Sequence, residues 1–227
     1  MDFFEAVKWK YERKSFMKYI QMPLGPLQTN CYILQDDDNN CIIFDPGEES
    51  SKLIAFIKEK KLKPLAVLLT HAHFDHIGAL DDVRDAFQIP AYIHEKENKW
   101  LSDSRLNGSV AFLMGQQIVQ RRAEELISKE GTLTIGDFTF EVLETPGHSI
   151  GSVSYYVRKA GFLFSGDVLF QGSIGRTDLP GGSMETLMSS IRTKLVTLPK
   201  DTIVFPGHGP ITTIEEELEF NPFLRRM

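Results

Sequence analysis

The chain has 227 residues, a net charge of −6 and a pI of about 5.6, with 42% hydrophobic and 25% charged residues. This balance is typical of a soluble globular protein, and the acidic charge argues against a nucleic-acid-binding surface, which is normally basic. No apolar run reaches the roughly 18 residues that span a bilayer, and the N-terminus MDFFEAVKWKYERKSF lacks the apolar core of a secretory signal. We therefore expect a cytoplasmic protein that binds neither nucleic acid nor membrane.

Residues 1–16 precede the first regular pattern, and Met17 would make a natural start. We interpret residues 1–16 as an N-terminal extension, with a short helix packed on the domain as the alternative. Residues 17–227 are expected to form one domain, since this length suits a single core. No repeat of fixed period is present.

The first half of the chain alternates strand-like and helix-like segments. The predicted strands are Tyr19–Leu24, Asn30–Leu34, Cys41–Asp45, Leu65–Thr70 and Ile89–His94. The predicted helices are one from Ser50 or Ser51, as the cap, to about Lys61, one after the loop His71–Gly78, and a mostly helical segment from Glu95 to about Leu126 that is irregular near Asn107-Gly108-Ser109. Cys31 and Cys41 lie inside strand-like runs without CxxC spacing and are predicted to be small buried apolar residues.

The second half is richer in strands. The predicted strands are Thr132–Ile135, Phe138–Thr145, Ser152–Val157, Gly161–Ser165 and Thr202–Phe205, and the predicted helices are Ser183–Leu198 and Thr213–Phe220. Two β-rich halves with helices outside predict an α/β (α+β) fold, a four-layer αββα sandwich in one domain.

Five of the six histidines end a strand-like segment or lie in the turn just after one. They are His71, His73, His76, His148 and His208, and Asp167 stands in the same kind of position. Ligands commonly gather where several strand ends meet at one rim of a sheet. Because three histidines and Asp75 fall within six residues, a purely structural role for this cluster is improbable. His94 stands without a partner motif and is interpreted as a satisfied surface or rim histidine.

The spacing of the cluster predicts how its members divide. Residues two apart in an extended segment point the same way, so His71 and His73 can share a metal ion, while Asp75 and His76 face a second site. Seven candidates exceed one tetrahedral ion and suit two, zinc by preference and iron or manganese as alternatives. The predicted division is His71, His73 and His148 on one ion, Asp75, His76 and His208 on the other, and Asp167 as the bridge.

Several motifs together indicate a family. They are MPLGPLQTNCYIL, FDPG, THAHFDHIGAL, TPGHSIGS, SGDVLF, GSIGRTDLPGG and PGHG, which cover the chain from about Met22 to Thr213. This set resembles the metallo-β-lactamase superfamily, and within it the small single-domain branch similar to glyoxalase II. The resemblance implies the αββα metallo-β-lactamase sandwich, a metal-bound hydroxide as nucleophile, and the same ligand roles, including Asp167 as the bridge.

The branch implies hydrolysis of a small acyl-thiol substrate, with Asp75 as a catalytic residue that also orients the hydroxide. Two divalent ions bring +4, and two carboxylates with the hydroxide return about −3, so the site stays positive within an acidic protein. Glyoxalase II enzymes of the long type carry a further helical domain that contacts glutathione. The tail EEELEFNPFLRRM after His208 is not expected to form one, so the thiol half of the substrate stays open.

Arg176, in the glycine-rich GSIGRTDLPGG, is a candidate substrate contact, with a structural salt bridge to Asp178 as the alternative. The ligand set also leaves other functions open. Persulfide dioxygenases share the fold but use one iron, which here would fall on His71, His148 and Asp167. A lactone hydrolase, a phosphodiesterase or nuclease, and a non-catalytic metal-binding module are further alternatives.

Overall fold

The computed structural model describes residues 17–225, so the predicted N-terminal extension, residues 1–16, lies outside the described part. Two six-stranded sheets form the framework. In spatial order the first sheet contains β1 (Lys18–Leu24), β2 (Thr29–Gln35), β3 (Asn40–Phe44), β4 (Lys63–Leu68), β5 (Ala91–His94) and β6 (Glu125–Ile127). Strands β1 to β3 pair antiparallel, and β3 to β6 pair parallel.

The second sheet comes mainly from the second half of the chain. Its spatial order is β14 (Thr212–Thr213), β13 (Ile203–Pro206), β10 (Phe162–Gly166), β9 (Val153–Val157), β8 (Phe138–Glu144) and β7 (Gly131–Ile135). A small separate hairpin joins β11 (Leu169–Phe170) to β12 (Ser173–Ile174). The helices are α1 (Ser50–Glu59), α2 (Phe74–Ile77), α3 (Leu80–Phe87), α4 (Ser109–Phe112), α5 (Met184–Ser190) and α6 (Ile214–Phe220).

Alternation along the strands distributes the apolar side chains among three cores, because successive residues face opposite sides of a sheet. Ile33 packs in the core that includes residues of α1 and α3, whereas its neighbour Leu34 faces the second sheet. Likewise Phe164 faces the first sheet, and Leu163 packs in the core that includes residues of α5 and α6. In the central core the ring of Phe44 stacks on that of Phe164, with centroids 3.9 Å apart. The predicted four-layer αββα sandwich is confirmed.

The largest difference from prediction lies between Glu95 and Leu126, where a mostly helical segment was expected. The segment instead contains 3₁₀ turns at Glu95–Glu97 and Trp100–Ser102, the single turn of α4, and the edge strand β6. Among residues 17–225, no helix is long and apolar enough to cross a bilayer.

A buried asparagine explains part of this difference. The Asn107 side chain donates to the backbone carbonyls of Trp100 and Ile118 and accepts the backbone N–H of Ser109. Such bonds offer the backbone an alternative to helical pairing. The next residue, Gly108, has φ of 85°, which also ends a helix.

Smaller differences concern helix ends. The prediction that Ser50 or Ser51 caps α1 is wrong. The residue before the helix is Glu49, and no side chain forms a capping hydrogen bond there. At α5 the Ser183 hydroxyl does cap, by accepting the N–H of Thr186, and the helix passes into a π-helical turn at Ile191–Leu195. Cys31 and Cys41 are buried and free, as predicted.

Candidate metal centre

The predicted ligands all lie at, or a few residues beyond, the end of a strand. His71 and His73 follow β4, and α2 carries Asp75 and His76 on the next turn. His148 follows β8 through Pro146-Gly147, Asp167 directly follows β10, and His208 follows β13 through Gly207. The two sheets therefore deliver side chains from both halves of the chain to one rim of the sandwich.

Three of these side chains form what we term the three-histidine group: His71, His73 and His148. All three are buried, and their candidate ligand nitrogens lie within 4.8 Å of one another. His73 Nδ1 is 2.9 Å from His148 Nε2. Such close imidazole nitrogens can converge on one cation.

The other three form what we term the mixed group: Asp75, His76 and His208. Their ligand atoms also lie within 4.8 Å of one another. His208 Nε2 is 3.2 Å and His76 Nε2 is 3.5 Å from Asp75 Oδ2. The same carboxylate oxygen accepts a hydrogen bond of 2.8 Å from Thr29 Oγ1. A further cluster, Asp45, His71 and His76, has ligand atoms equally close together, so the division of the ligands between two ions stays a prediction.

Asp167 lies between the two groups. Its Oδ2 is 3.5 Å from His148 Nε2 and 3.5 Å from His208 Nε2, and its Oδ1 is 3.4 Å from His76 Nε2. One carboxylate thus faces histidines of both groups, which is the position expected of a bridge. A Cβ added at Gly207 would lie 2.1 Å from Asp167 Oδ1, so this close backbone approach requires glycine.

Unpaired polar atoms test whether metal ions fit these residues. Within residues 17–225, His71 Nε2, His76 Nε2 and Asp167 Oδ1 are buried without a hydrogen-bond partner. His71 Nε2 therefore bears the cost of an unpaired buried group, about 1–3 kcal/mol, whereas His76 Nε2 and Asp167 Oδ1 face each other at 3.4 Å. Buried polar groups are rarely left without a hydrogen bond. Bound cations would satisfy them, and imidazole with carboxylate suits zinc, iron or manganese. The residues present therefore fit a two-ion centre.

Protonation states point the same way. Burial lowers the pKa of His71 well below its ordinary value, and nearby His76 lowers it further. Burial and His148 lower the pKa of His73 to about 3. Burial would raise the pKa of Asp75, but the His76 charge and hydrogen bonds outweigh it and lower the pKa to about 2. Neutral imidazole and ionised carboxylate are the forms that bind metals. The exceptions are His76 and His208, whose pKa values the neighbouring carboxylates Asp75 and Asp167 raise despite burial.

Further residues orient the candidate ligands. Asp45 Oδ2 lies 3.0 Å from His76 Nδ1, while both its oxygens bond to Thr70, at the backbone N–H and the hydroxyl. The backbone carbonyl of Arg176 lies 2.8 Å from His148 Nδ1. Each contact fixes a ring so that its Nε2 faces inward, which is how partners of metal-bound histidines act.

Sequence reasoning missed three of these supporting residues. Asp45 directly follows β3 and precedes a Pro-Gly turn, so the strand-end rule could have found it. Thr29, at the start of β2, carries no such signal. Glu97, which accepts the backbone N–H of Ala72 between His71 and His73, falls in the segment expected to be helical.

Arg176 lies at the rim of the centre. Its guanidinium donates two hydrogen bonds of 2.7 Å to Asp178. This is the salt bridge predicted as the alternative to a substrate contact. It also lies over the ring of Phe112, 5.6 Å from the centroid, and Phe112 stacks on Phe74 beside His73. The rim therefore combines an exposed cation with an aromatic wall.

His94 stands apart from the centre, as predicted, but it is buried rather than on the surface. Its Nε2 lies 3.0 Å from Glu144 Oε1, and its Nδ1 accepts the backbone N–H of Lys96. Both ring nitrogens are therefore satisfied by structural contacts.

Comparison with known proteins places this geometry in a family. The model of the metallo-beta-lactamase superfamily matches residues 24–208. The probable metallo-hydrolase YqgX of Bacillus subtilis is 57% identical over 92% of this chain and 98% of its own length. The hydroxyacylglutathione hydrolase GloC of Haemophilus influenzae is 40% identical over 89% of this chain and 96% of its own length.

Solved structures agree. The crystal structure of BLEG-1 B3 metallo-beta-lactamase is 56% identical in sequence, with a TM-score of 0.90. The match covers 91% of this chain and 99% of the BLEG-1 chain. The structure of TTHA1623 in a di-iron-bound form is 39% identical, with a TM-score of 0.81 over 90% of this chain and 100% of its own. This chain belongs to the metallo-β-lactamase superfamily and is a metal-dependent hydrolase of that superfamily.

Proposed function

We propose that this protein hydrolyses thioesters of a small thiol, with a two-ion centre held by the three-histidine group, the mixed group and Asp167. The observation that carries the proposal is the convergence of seven candidate ligands in two groups joined by one carboxylate. Similarity to GloC, named a hydroxyacylglutathione hydrolase, supports an acyl-thiol as substrate, and TTHA1623 holds two iron ions on the same fold. Zinc remains the preferred metal, with iron or manganese as alternatives.

Two bound divalent ions would supply Lewis acidity, which lowers the pKa of water to about 7 and polarises a carbonyl oxygen. The chain's own contribution is placement. Asp75, held ionised and fixed by the Thr29 hydrogen bond, is proposed to orient the attacking water. The water loses a proton to solvent and adds to the carbonyl carbon, the C–S bond breaks, and a carboxylic acid and a thiolate are released. The thiolate then takes up a proton from solvent.

The leaving group favours a thioester over an amide. A thiol has a pKa near 8.5, so a thiolate departs without a proton donor, whereas an amine must be protonated as it leaves. In the proposed centre the seven buried or half-buried titratable side chains serve as ligands, so none of them is spare as an acid.

The rim is proposed to hold the remainder of the substrate. Arg176 is exposed beside the centre and can attract a carboxylate of the thiol half, and Phe112 offers an apolar face to its carbon chain. The partner is then a small anionic acyl-thiol, with neither nucleic acid nor membrane involved. The free buried cysteines, Cys31 and Cys41, suit the reducing cytoplasm that we propose as the location.

The test is an activity panel on protein of measured metal content. Thioesters of glutathione and of other small thiols are compared with lactones, β-lactams and glutathione persulfide. We expect the highest kcat/KM on a thioester and about two ions per chain. A two-ion protein that leaves every thioester intact would reject the proposed reaction, and one iron with oxygen uptake on the persulfide would favour the dioxygenase.

A second candidate is β-lactam hydrolysis, which the 56% identity to BLEG-1 B3 metallo-beta-lactamase favours. The same panel separates the two candidate functions, because opening a β-lactam requires an amine as the leaving group, whereas a thioester releases a thiol. Faster β-lactam than thioester turnover would establish this alternative.

A further inference from the structure

Glu97 is a buried carboxylate that the proposed reaction does not use. It ends the 3₁₀ turn after β5 and is 0% exposed. Its Oε2 accepts the backbone N–H of Ala72 at 2.7 Å, and its Oε1 accepts the backbone N–H of Gly151 at 2.7 Å and the Ser149 hydroxyl at 2.5 Å. All three partners are neutral donors. Since burying a carboxylate is costly, its position calls for a reason.

The partners of Glu97 lie in the two loops that carry the three-histidine group. Ala72 stands between His71 and His73, and Ser149 directly follows His148. The loops come from different sheets, after β4 and β8, and one carboxylate joins them with one oxygen on each. The fit is close, because a Cβ added at Gly151 would lie 2.9 Å from Glu97 Cγ.

We propose that Glu97 is a positioning residue that holds the three-histidine group at the spacing needed for its metal ion. It acts through backbone, by fixing the separation of the loop of His73 from the loop of His148, whose ring nitrogens lie 2.9 Å apart. The inference rests on the two-ion centre of the proposed function. It assigns Glu97 to one group only, because none of its hydrogen bonds reaches the mixed group.

The first variant is Glu97→Gln, which keeps the shape but replaces one oxygen by an N–H₂ donor. Whichever way the amide turns, a donor then faces either the N–H of Ala72 or the donors of Gly151 and Ser149, so one loop loses its anchor. Cobalt titration followed by d–d absorption reads the two ions separately. His73→Ala and His208→Ala assign each spectrum to its group.

We expect Glu97→Gln to lower the affinity of the three-histidine group for its ion by roughly 10–100-fold, the range for supporting partners of metal ligands. The affinity of the mixed group for its ion should not change. Glu217→Gln is the matched control. Glu217 is also buried and accepts from Thr212 Oγ1, the Gly172 N–H and the Asn221 side chain, away from both groups. It should lower stability without changing either affinity.

Two results would overturn the proposal: unchanged affinity for both ions, or equal weakening of both, as a general loss of folding would cause. If Glu97→Gln does not fold, Ser149→Ala removes one donor only, and selective weakening of the same ion is expected, whereas two intact sites would refute the role. Because the readout is ion affinity, failure of the thioester reaction in the activity panel is a separate result.

Discussion

The three-histidine group and the mixed group share one rim of the sandwich but differ in exposure and charge. The three histidines are buried, whereas in the mixed group the His208 side chain is 30% exposed and Asp75 contributes a carboxylate. Their supports differ as well. The loops joined by Glu97 and the Arg176 carbonyl support the first group, with one side-chain contact from the Thr70 hydroxyl to His71. The side chains of Thr29 and Asp45 support the second group.

This contrast suggests a division of work within the proposed centre. A sealed group of neutral ligands, held through backbone, suits an ion that stays in place. A partly open group with a carboxylate suits the side at which water and substrate enter.

Asp167→Asn should have the largest effect, because Asp167 faces His148 of one group and His76 and His208 of the other. We expect both ions to bind more weakly and kcat/KM to fall by roughly 10²–10³-fold, the scale for losing one preorganised electrostatic contact. Metal analysis and steady-state kinetics measure this. Loss of one ion only would show that Asp167 belongs to one group and does not bridge.

His73→Ala and His208→Ala compare the groups directly. Removing buried His73 leaves a sealed gap, so we expect one ion per chain and at least about a 100-fold fall in activity. At partly exposed His208 water can replace the imidazole, and the fall in activity should be smaller than in His73→Ala. Equal losses would remove the contrast, and unchanged metal content in His73→Ala would reject the centre itself.

Asp45→Asn should act on the mixed group. The new amide donor would face His76 Nδ1, favouring the tautomer with its proton on Nε2, the atom aimed at the centre. We expect a roughly 10–100-fold loss in affinity for one ion, measured by chelator competition. Glu217→Gln again serves as the control for a buried carboxylate. Weaker binding of the ion at the three-histidine group instead would contradict the assignment of Asp45 to the mixed group.

Arg176→Ala should have the smallest effect, on substrate alone. We expect KM for an anionic thioester to rise about tenfold, or ~1.4 kcal/mol, with metal content and kcat little changed. Arg158→Ala is a close match, since Arg158 also pairs with a carboxylate, Glu141, and lies 5.6 Å from the centroid of the Tyr156 ring. Equal KM changes in both variants would mean that Arg176 is purely structural.

Much of the candidate site was predictable because candidate metal ligands are recognisable from residue type and local spacing. Polar residues at strand ends, as in HAHFDH, stand out against apolar strands, and the period of two assigns His71 and His73 to the same side. The same rule extended to Asp45 would have found the partner of His76. Thr29 could not be identified by this rule, because a hydroxyl residue at the start of a strand is common. The contact of Thr29 with Asp75 also spans 46 residues of sequence.

The amino-acid sequence by itself determined the alternation of strands and helices, the four layers that follow from it, and the seven ligand candidates, because periodicity and residue type are local properties. Only the tertiary structure decided how the segment from Glu95 to Leu126 folds and what Glu97 contacts. There the Asn107 side chain bonds to backbone groups of the same segment, whereas Glu97 bonds to Ala72, Ser149 and Gly151 on loops of different sheets, and these bonds exist only once the sheets have packed. The assembly of the three-histidine group is likewise a product of packing, since Glu97 joins two loops that are far apart in the sequence.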